Sequence, residues 1–583
     1  MAAPSFLTPR RTMAATVIVL VAIVIVALSW PTSSGSGTTA SPSGAVSSTQ
    51  PPAPSDVETV APDRLARQVC RTVPREVLVR TVNGTHPVRS GDLQMITPFP
   101  DYVSSGLTHA PPFDHTQEVP LLLYGPGSVK PGVYEGPVHL TDVSQTAASL
   151  LEFDGFTAPD GRALDEALLP ADERTPPKLL VTMVWDSAGV DLLERWPGSW
   201  PYLRDLAKDG AWFTDASLNS APANTPPSHA TIGTGAYPRH HGFADEYIWI
   251  NGSLQKPNAE GPTFLKLPTL ADVYDLAMGN EPIVGGAASL SAHLMMMSHG
   301  LGWQGGDDDI AIAREVQGAA TGGDDTANEW GLTDGMRPYY RMPEWVNDDA
   351  IDASLEQAKT ALDQRDGSLD GLWRGYSIEQ MAGGFNTPAR SPYQTTLFEE
   401  LVRREGFGAD KVPDLLYLNY KIIDTLGHQF SADGVEMTDA LEIQDGELRR
   451  FVRLLNDEVG RGEWAMILTA DHGMQRDPAA VGAFLIDIER LSAAVEEAFG
   501  GTEFRPVILK ARPTQMWLDE KLLEREGYTV EQVAEFIQGL TQSEVAGATG
   551  TRPGEADAPA FQAVFPTSTI ERLPCLPPSV LAT

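Results

Sequence analysis

A chain of 583 residues with 78 acidic against 42 basic side chains has a formal net charge of −36, which argues against gripping a nucleic-acid polymer along a basic groove. The length exceeds what one hydrophobic core usually supports, so a large catalytic domain with an insertion or second lobe is expected. An anionic substrate would have to be drawn in by something other than surface lysines, and metal ions held by carboxylates supply such a field.

The first feature along the chain is Arg10 and Arg11, followed by the 18 uncharged residues Met13–Trp30. That run is just long enough to span a bilayer. It predicts a cytoplasmic tail (1–12), a single-pass membrane anchor (13–30) and an extracytoplasmic remainder, because basic residues stay inside. A clear small-residue cleavage site is lacking, so an anchor is preferred to a signal peptide, whose removal would leave a secreted protein. Residues 31–60 are rich in Ser, Pro and Gly and are expected to be a disordered linker. Cys70 and Cys575 are the two cysteines. Outside the cytoplasm they either bond, fastening the two ends of the working part, or remain separate thiols.

Two apolar runs then read as buried parallel strands, "LLVTMVW" ending at Asp186 and "WAMILTA" ending at Asp471 and His472. Ligands of open α/β sheets bind beyond such strand ends. A third run, "LLYLNYKII", leads to Asp424 and His428, which share one face of a helical turn and suit one divalent cation. Taken alone this is equally a surface or capping pair, and "ADHG" is equally a turn. In "NTPPSHATIGTGAYPRHHGF" Thr225 precedes two prolines at a helix start, where phosphate oxygens are favoured. The plain alternative is an N-cap. Helical spacing in the intervening segments completes an α/β class.

In their order, the strand-end Asp186, "TPPSH" with "TGAYPRHHG", "DTLGH" and "ADHGM" resemble the alkaline phosphatase superfamily, and within it the type I phosphodiesterase and nucleotide pyrophosphatase family. The resemblance covers roughly residues 178–480. It implies an alkaline-phosphatase-like sandwich, with a mostly parallel central sheet between helices and an inserted cap. It also implies two zinc ions, or manganese in their place. Asp186, Thr225, Asp471 and His472 would bind one ion, and Asp424 and His428 the other together with a histidine that follows the D-H-G motif. This chain has no histidine after His472.

"FDHTQEVPLLLYGPG", beginning at Phe113, resembles the superfamily's closing segment, and residues 113–156 follow its succession of strand, Gly-Pro-Gly turn and helix. The implied arrangement is a circular permutation in which the C-terminal lobe (61–175) precedes the catalytic core (176–480). His115 then becomes the third ligand, with His109 in reserve. The cap is expected at about 245–400 and a small α/β subdomain with the C-terminal segment at 481–583. Where the family carries a phosphate-holding asparagine this chain has Glu246, and a carboxylate facing phosphate repels it. His293 and His299 in the cap are candidates for leaving-group contacts, although packed or surface histidines fit the pattern as well. The acidic loops "GGDDDI" and "GGDDTAN" lack EF-hand spacing and read as solvated turns. The resulting expectation is a membrane-tethered two-metal phosphoric ester hydrolase of the phosphodiesterase/nucleotide pyrophosphatase kind, acting on a small-molecule phosphate ester through Thr225 and a phosphothreonine. The alternatives are a phosphomonoesterase, a phosphonate hydrolase or a non-catalytic metal-binding protein.

Overall fold

Three runs of apolar residues set the architecture. In the computed structural model, which describes residues 59–257, 261–289, 291–297, 299, 304–313, 330–547 and 549–581, they become adjacent parallel strands buried along their whole length. The strands used below are β1 (Leu93–Ile96), β2 (Leu121–Tyr124), β3 (Gly132–Tyr134), β4 (Leu179–Trp185), β5 (Ala211–Phe213), β6 (Val284–Ala287) and β7 (Asp309–Ile312). They continue with β8 (Tyr340–Arg341), β9 (Asp414–Tyr420), β10 (Trp464–Thr469), β11 (Ile508–Ala511), β12 (Gln515–Leu518) and β13 (Ala563–Pro566). The nine-stranded sheet runs β8-β7-β6-β9-β4-β10-β2-β5-β3. Every neighbouring pair is parallel except those involving β2, which runs against β10 and β5. Strands without an exposed face need cover on both sides, which is why their sequences show no alternation. Each buried Leu or Val here contributes about 1.5–3 kcal/mol relative to exposure.

The helices that bear on the site are α1 (Pro62–Thr72), α2 (Arg75–Gly84), α3 (Asp114–Gln117), α4 (Asp142–Leu150), α5 (Thr225–Thr234), α6 (Arg390–Glu405), α7 (Ile422–Phe430) and α8 (Glu436–Leu455). α6 and α8 pack on each other, and α7 on α8.

Two expected boundaries are redrawn. The stretch 245–400 does not stand apart as a cap, because β6, β7 and β8 extend the central sheet beside β9. Their short runs "VGGA" and "DIAI" are buried at every residue and pair in parallel, a requirement that hydropathy alone does not reveal. The small lobe after residue 480 is also incomplete without the N-terminal segment. Its sheet runs β11-β12-β1-β13, with β1 antiparallel to both neighbours. Leu93 and Met95 join its apolar core with Phe484, Leu518 and Val533. α1 and α2 form a further cluster against Ile96, Phe565 and Ile570, where Cys70 and Cys575 are joined in a disulfide across 505 residues of sequence. The tail, apolar run and linker foreseen before residue 59 lie outside the described residues, among which no helix is long and apolar enough to cross a membrane.

Candidate metal centre and nucleophile

β9, β4 and β10 lie side by side, and each delivers an aspartate just beyond its carboxyl end: Asp424, Asp186 and Asp471. Asp186 follows β4 directly, Asp424 stands in the first turn of α7, and Asp471 follows the last residues of β10. All three are buried. Ser187 ties them together. Its backbone N–H donates to Asp471 Oδ1 at 3.1 Å and its hydroxyl to Asp424 Oδ1 at 2.7 Å. This needs the left-handed φ of +63° at Ser187, a strained conformation for a residue with a Cβ and one that clusters at functional sites.

Thr225 is the first residue of α5, and its Oγ1 caps nothing. It stands 3.3 Å from His472 Nε2 and 3.3 Å from Lys421 Nζ. His472 Nδ1 faces Gly473 O at 3.0 Å, so its Nε2 is directed inward, 3.2 Å from Asp471 Oδ2 and 4.0 Å from Asp186 Oδ1. Asp424 and His428 meet through Oδ1 and Nε2 at 3.5 Å across one turn of α7, as their spacing suggests.

The imidazole that the fold brings beside this pair is His109, the reserve candidate. Its Nδ1 is turned to Ala223 O, leaving Nε2 3.5 Å from Asp424 Oδ1, and its ring stacks 3.8 Å from that of His472. His115 is elsewhere. Its backbone, not its ring, faces the D-H-G loop: a Cβ on Gly473 would lie 2.1 Å from His115 O, and Gly473 N donates to Thr116 O at 2.9 Å. The His115 ring is half-buried, 3.0 Å from buried Gln475, and lines a cleft of about 650 Å³ with Phe99 and Phe113.

Four residues at the centre carried no assigned role in the sequence reading. Lys421 reaches Asp186 at 3.0 Å and Asp424 at 2.6 Å. Asn419 donates to Asp186 at 3.0 Å. His229 stands one turn after Thr225, with Nδ1 2.9 Å from Thr225 O, and Ser187 makes the bridge described above. The signals were present as Lys421 three residues before Asp424, the histidine inside "TPPSH" and the serine in "WDSAG".

The charges are unbalanced. Burial pushes the Asp471 carboxyl far up, with Asp186 adding to it, whereas at Asp186 and Asp424 burial is opposed by Lys421 together with the neighbouring imidazoles, which hold both down. Burial also lowers His472 and His109, and brings His229 to about 3, which keeps these imidazoles neutral and fit to ligate. Asp471 Oδ2 is buried and receives no hydrogen bond. Three buried carboxylates around one ammonium are costly unless further positive charge is present. The donor atoms of Asp186, Asp471 and His472, and those of His109, Asp424 and His472, lie within 4.8 Å of one another in each group. Aspartate oxygens and imidazoles suit zinc or manganese, so the residues present fit a divalent cation, with His472 common to both groups.

The cap histidines are internal. His293 Nε2 is 3.2 Å from Asp186 Oδ2, supporting a strand-end carboxylate, and buried His299 is paired with Asp272. Neither position suits a leaving-group contact. Glu246 pairs with Arg512 at 2.9 Å and with Lys256 at 3.7 Å. In "GGDDDI", Asp309 is buried in β7 and groups with Asp307 and Asp275, so that loop is only partly a solvated turn.

The family model for type I phosphodiesterase / nucleotide pyrophosphatase matches residues 180–556, well over half of the chain. The chain belongs to that family. Its members are phosphoric ester hydrolases by class. Alkaline phosphatase PafA of Elizabethkingia meningoseptica is 23% identical over 427 residues, a match spanning 62% of this chain and 72% of that protein. Alkaline phosphatase PhoK of Sphingomonas sp is 24% identical over 326 residues, 51% of this chain and 56% of PhoK. The chain thus spans little more than half the length of some relatives. The solved structure of wild-type PafA aligns with a TM-score of 0.49 at 18% identity, covering 67% of this chain and 84% of that one.

Proposed function

We propose that this phosphodiesterase-family chain hydrolyses small phosphate esters at two divalent cations, zinc or manganese, with Thr225 as the nucleophile. Asp186, Thr225, Asp471 and His472 would hold one ion, and Asp424, His428 and His109 the other, with His109 in the place first given to His115. When bound, the ions lower the pKa of the threonine hydroxyl and offset charge developing on the transferred phosphoryl group. The chain's own residues do the rest. α5 fixes Thr225 Oγ1 against His472 and Lys421. Attack on phosphorus forms a phosphothreonine and expels the ester oxygen, and water then restores the hydroxyl. Lys421 supplies a fixed positive charge at the attacking oxygen, where its effect in a buried site is large.

The observation that carries this reading is the orphaned Asp471 Oδ2 among three buried aspartates beside a threonine hydroxyl that caps no helix. A scaffold without turnover has no use for that hydroxyl. The test is hydrolysis of an aryl phosphate by the zinc-loaded protein and by Thr225→Ala. Turnover is expected to fall by at least about 10³-fold while much of the bound metal remains; unchanged turnover would overturn the assignment.

Two further readings rest on the same fold. The antiparallel β2, followed by α4 and a short connection into β4, supports the view that residues 61–175 are a transposed C-terminal lobe. The Cys70–Cys575 disulfide supports an extracytoplasmic enzyme, with the Met13–Trp30 run as its proposed membrane anchor.

A further inference from the structure

The nucleophile's helix is poorly equipped to hold a phosphoryl group by itself. A helix N-terminus binds anions through free amides, but residues two and three of α5 are Pro226 and Pro227, which have no N–H. The next amide, Ser228 N, donates to Asn224 O at 3.1 Å. Besides the proposed cations, the positive groups that meet the phosphoryl oxygens must therefore be side chains. Lys421 is one of them.

Arg512 is the other within reach. It sits in the turn between β11 and β12, so the small lobe delivers it to the catalytic lobe. Its Nε lies 3.3 Å from Asp245 Oδ1, the same oxygen that accepts from Asn224 Nδ2 at 3.3 Å, and Asn224 immediately precedes Thr225. Its Nη2 donates to Glu246 Oε1 at 2.9 Å. Two carboxylates thereby lock the guanidinium plane. Nη1 has no partner among the described residues, and the side chain is 22% exposed. Lys510 and Lys256 stand over the Tyr247 ring at 4.6 and 5.8 Å, and Lys256 also pairs with Glu246. In a chain of net charge −36, three cations here meet only two carboxylates.

Resting on the reading of Thr225 as nucleophile, we infer that Arg512, preset by Asp245 and Glu246, joins Lys421 in gripping the non-bridging oxygens of a dianionic phosphate monoester. Glu246 is then no rival of the phosphate but the residue that orients its receptor. A planar guanidinium with a free edge suits two oxygens of one phosphoryl group. A diester monoanion offers one charge fewer and gains less from the same cation.

The test compares kcat/KM for an aryl phosphate monoester and the matching methyl aryl diester in the wild type, Arg512→Gln and Arg512→Lys. Alongside it, the affinity of inorganic phosphate for metal-loaded Thr225→Ala, with and without Arg512→Gln, is measured by calorimetry. The expectation is a monoester loss of about 100-fold in Arg512→Gln, partial recovery in Arg512→Lys, a diester loss under about tenfold and weaker phosphate binding. Equal losses on both substrates with unchanged phosphate affinity, or no loss at all, would overturn the inference. A wild type inactive on both esters would overturn the nucleophile assignment instead, and phosphate affinity would still report on Arg512.

Discussion

Two carboxylate clusters lie near Thr225, one reached through Asn224 and the other through Lys421 and His472, and they solve the same electrostatic problem differently. Asp245 and Glu246 share Arg512 and Lys256, which hold Glu246 down, although burial still pushes Asp245 up to about 6 and leaves its Oδ2 without a donor. Asp186, Asp424 and Asp471 share only Lys421, and one oxygen of Asp471 has no donor. A buried carboxylate already matched to a guanidinium has nothing to offer a metal, whereas an excess of buried carboxylate over fixed cation marks the place for one. What distinguishes the clusters is the number of local counter-charges, not the number of acidic residues.

The sharpest way to break that comparison is to neutralise one member of each cluster. Asp471→Asn should lose close to one equivalent of bound metal and at least about 10³-fold in kcat. Asp245→Asn should retain its full metal content. Loss of metal from the second variant, read by elemental analysis after gel filtration, would show that the clusters are not separable.

A smaller effect separates the two histidines. His109→Ala should weaken binding of one ion by more than the 10–100-fold that follows loss of an outer partner of a ligand, while His115→Ala leaves both metal content and kcat within about twofold, as surface changes do. Titration with a competing chelator reads both. The reverse result would restore His115 to the centre.

That contrast also shows what could be read from the sequence. The strands ending in Asp186, Asp424 and Asp471 were visible because a parallel sheet buried on both faces writes itself as unbroken apolar runs. Thr225, His428 and His472 followed from spacing within the motifs. His109 and His115 could not be ranked in that way. Both lie in one loop-rich stretch, and the choice depends on which atoms face Gly473, a contact between segments more than 350 residues apart. Arg512 was invisible for the same reason, since only the packing of the small lobe brings it to Glu246. The strands β6 to β8 were hidden by their brevity, so a piece of the central sheet read as an insertion.

The comparison extends to a third carboxylate. Asp275 has no ion pair among the described residues and is 3% exposed beside Asp307 and Asp309. Burial, and then the charge of Asp307, raise its carboxyl from 3.8 to about 7. A folded-state value above the unfolded one means that the folded protein holds this proton more tightly. Its contribution to stability is therefore complete below the unfolded value near 4 and is lost as the pH rises through about 7. Asp275→Asn keeps the neutral shape and removes the titration. The variant should match the wild type in thermal stability only below about pH 4 and exceed it at pH 8 by at least about 1.4 kcal/mol, the equivalent of one pKa unit. Parallel stability curves across that range would mean that Asp275 titrates near its ordinary value, its charge being met as fully as that of Glu246.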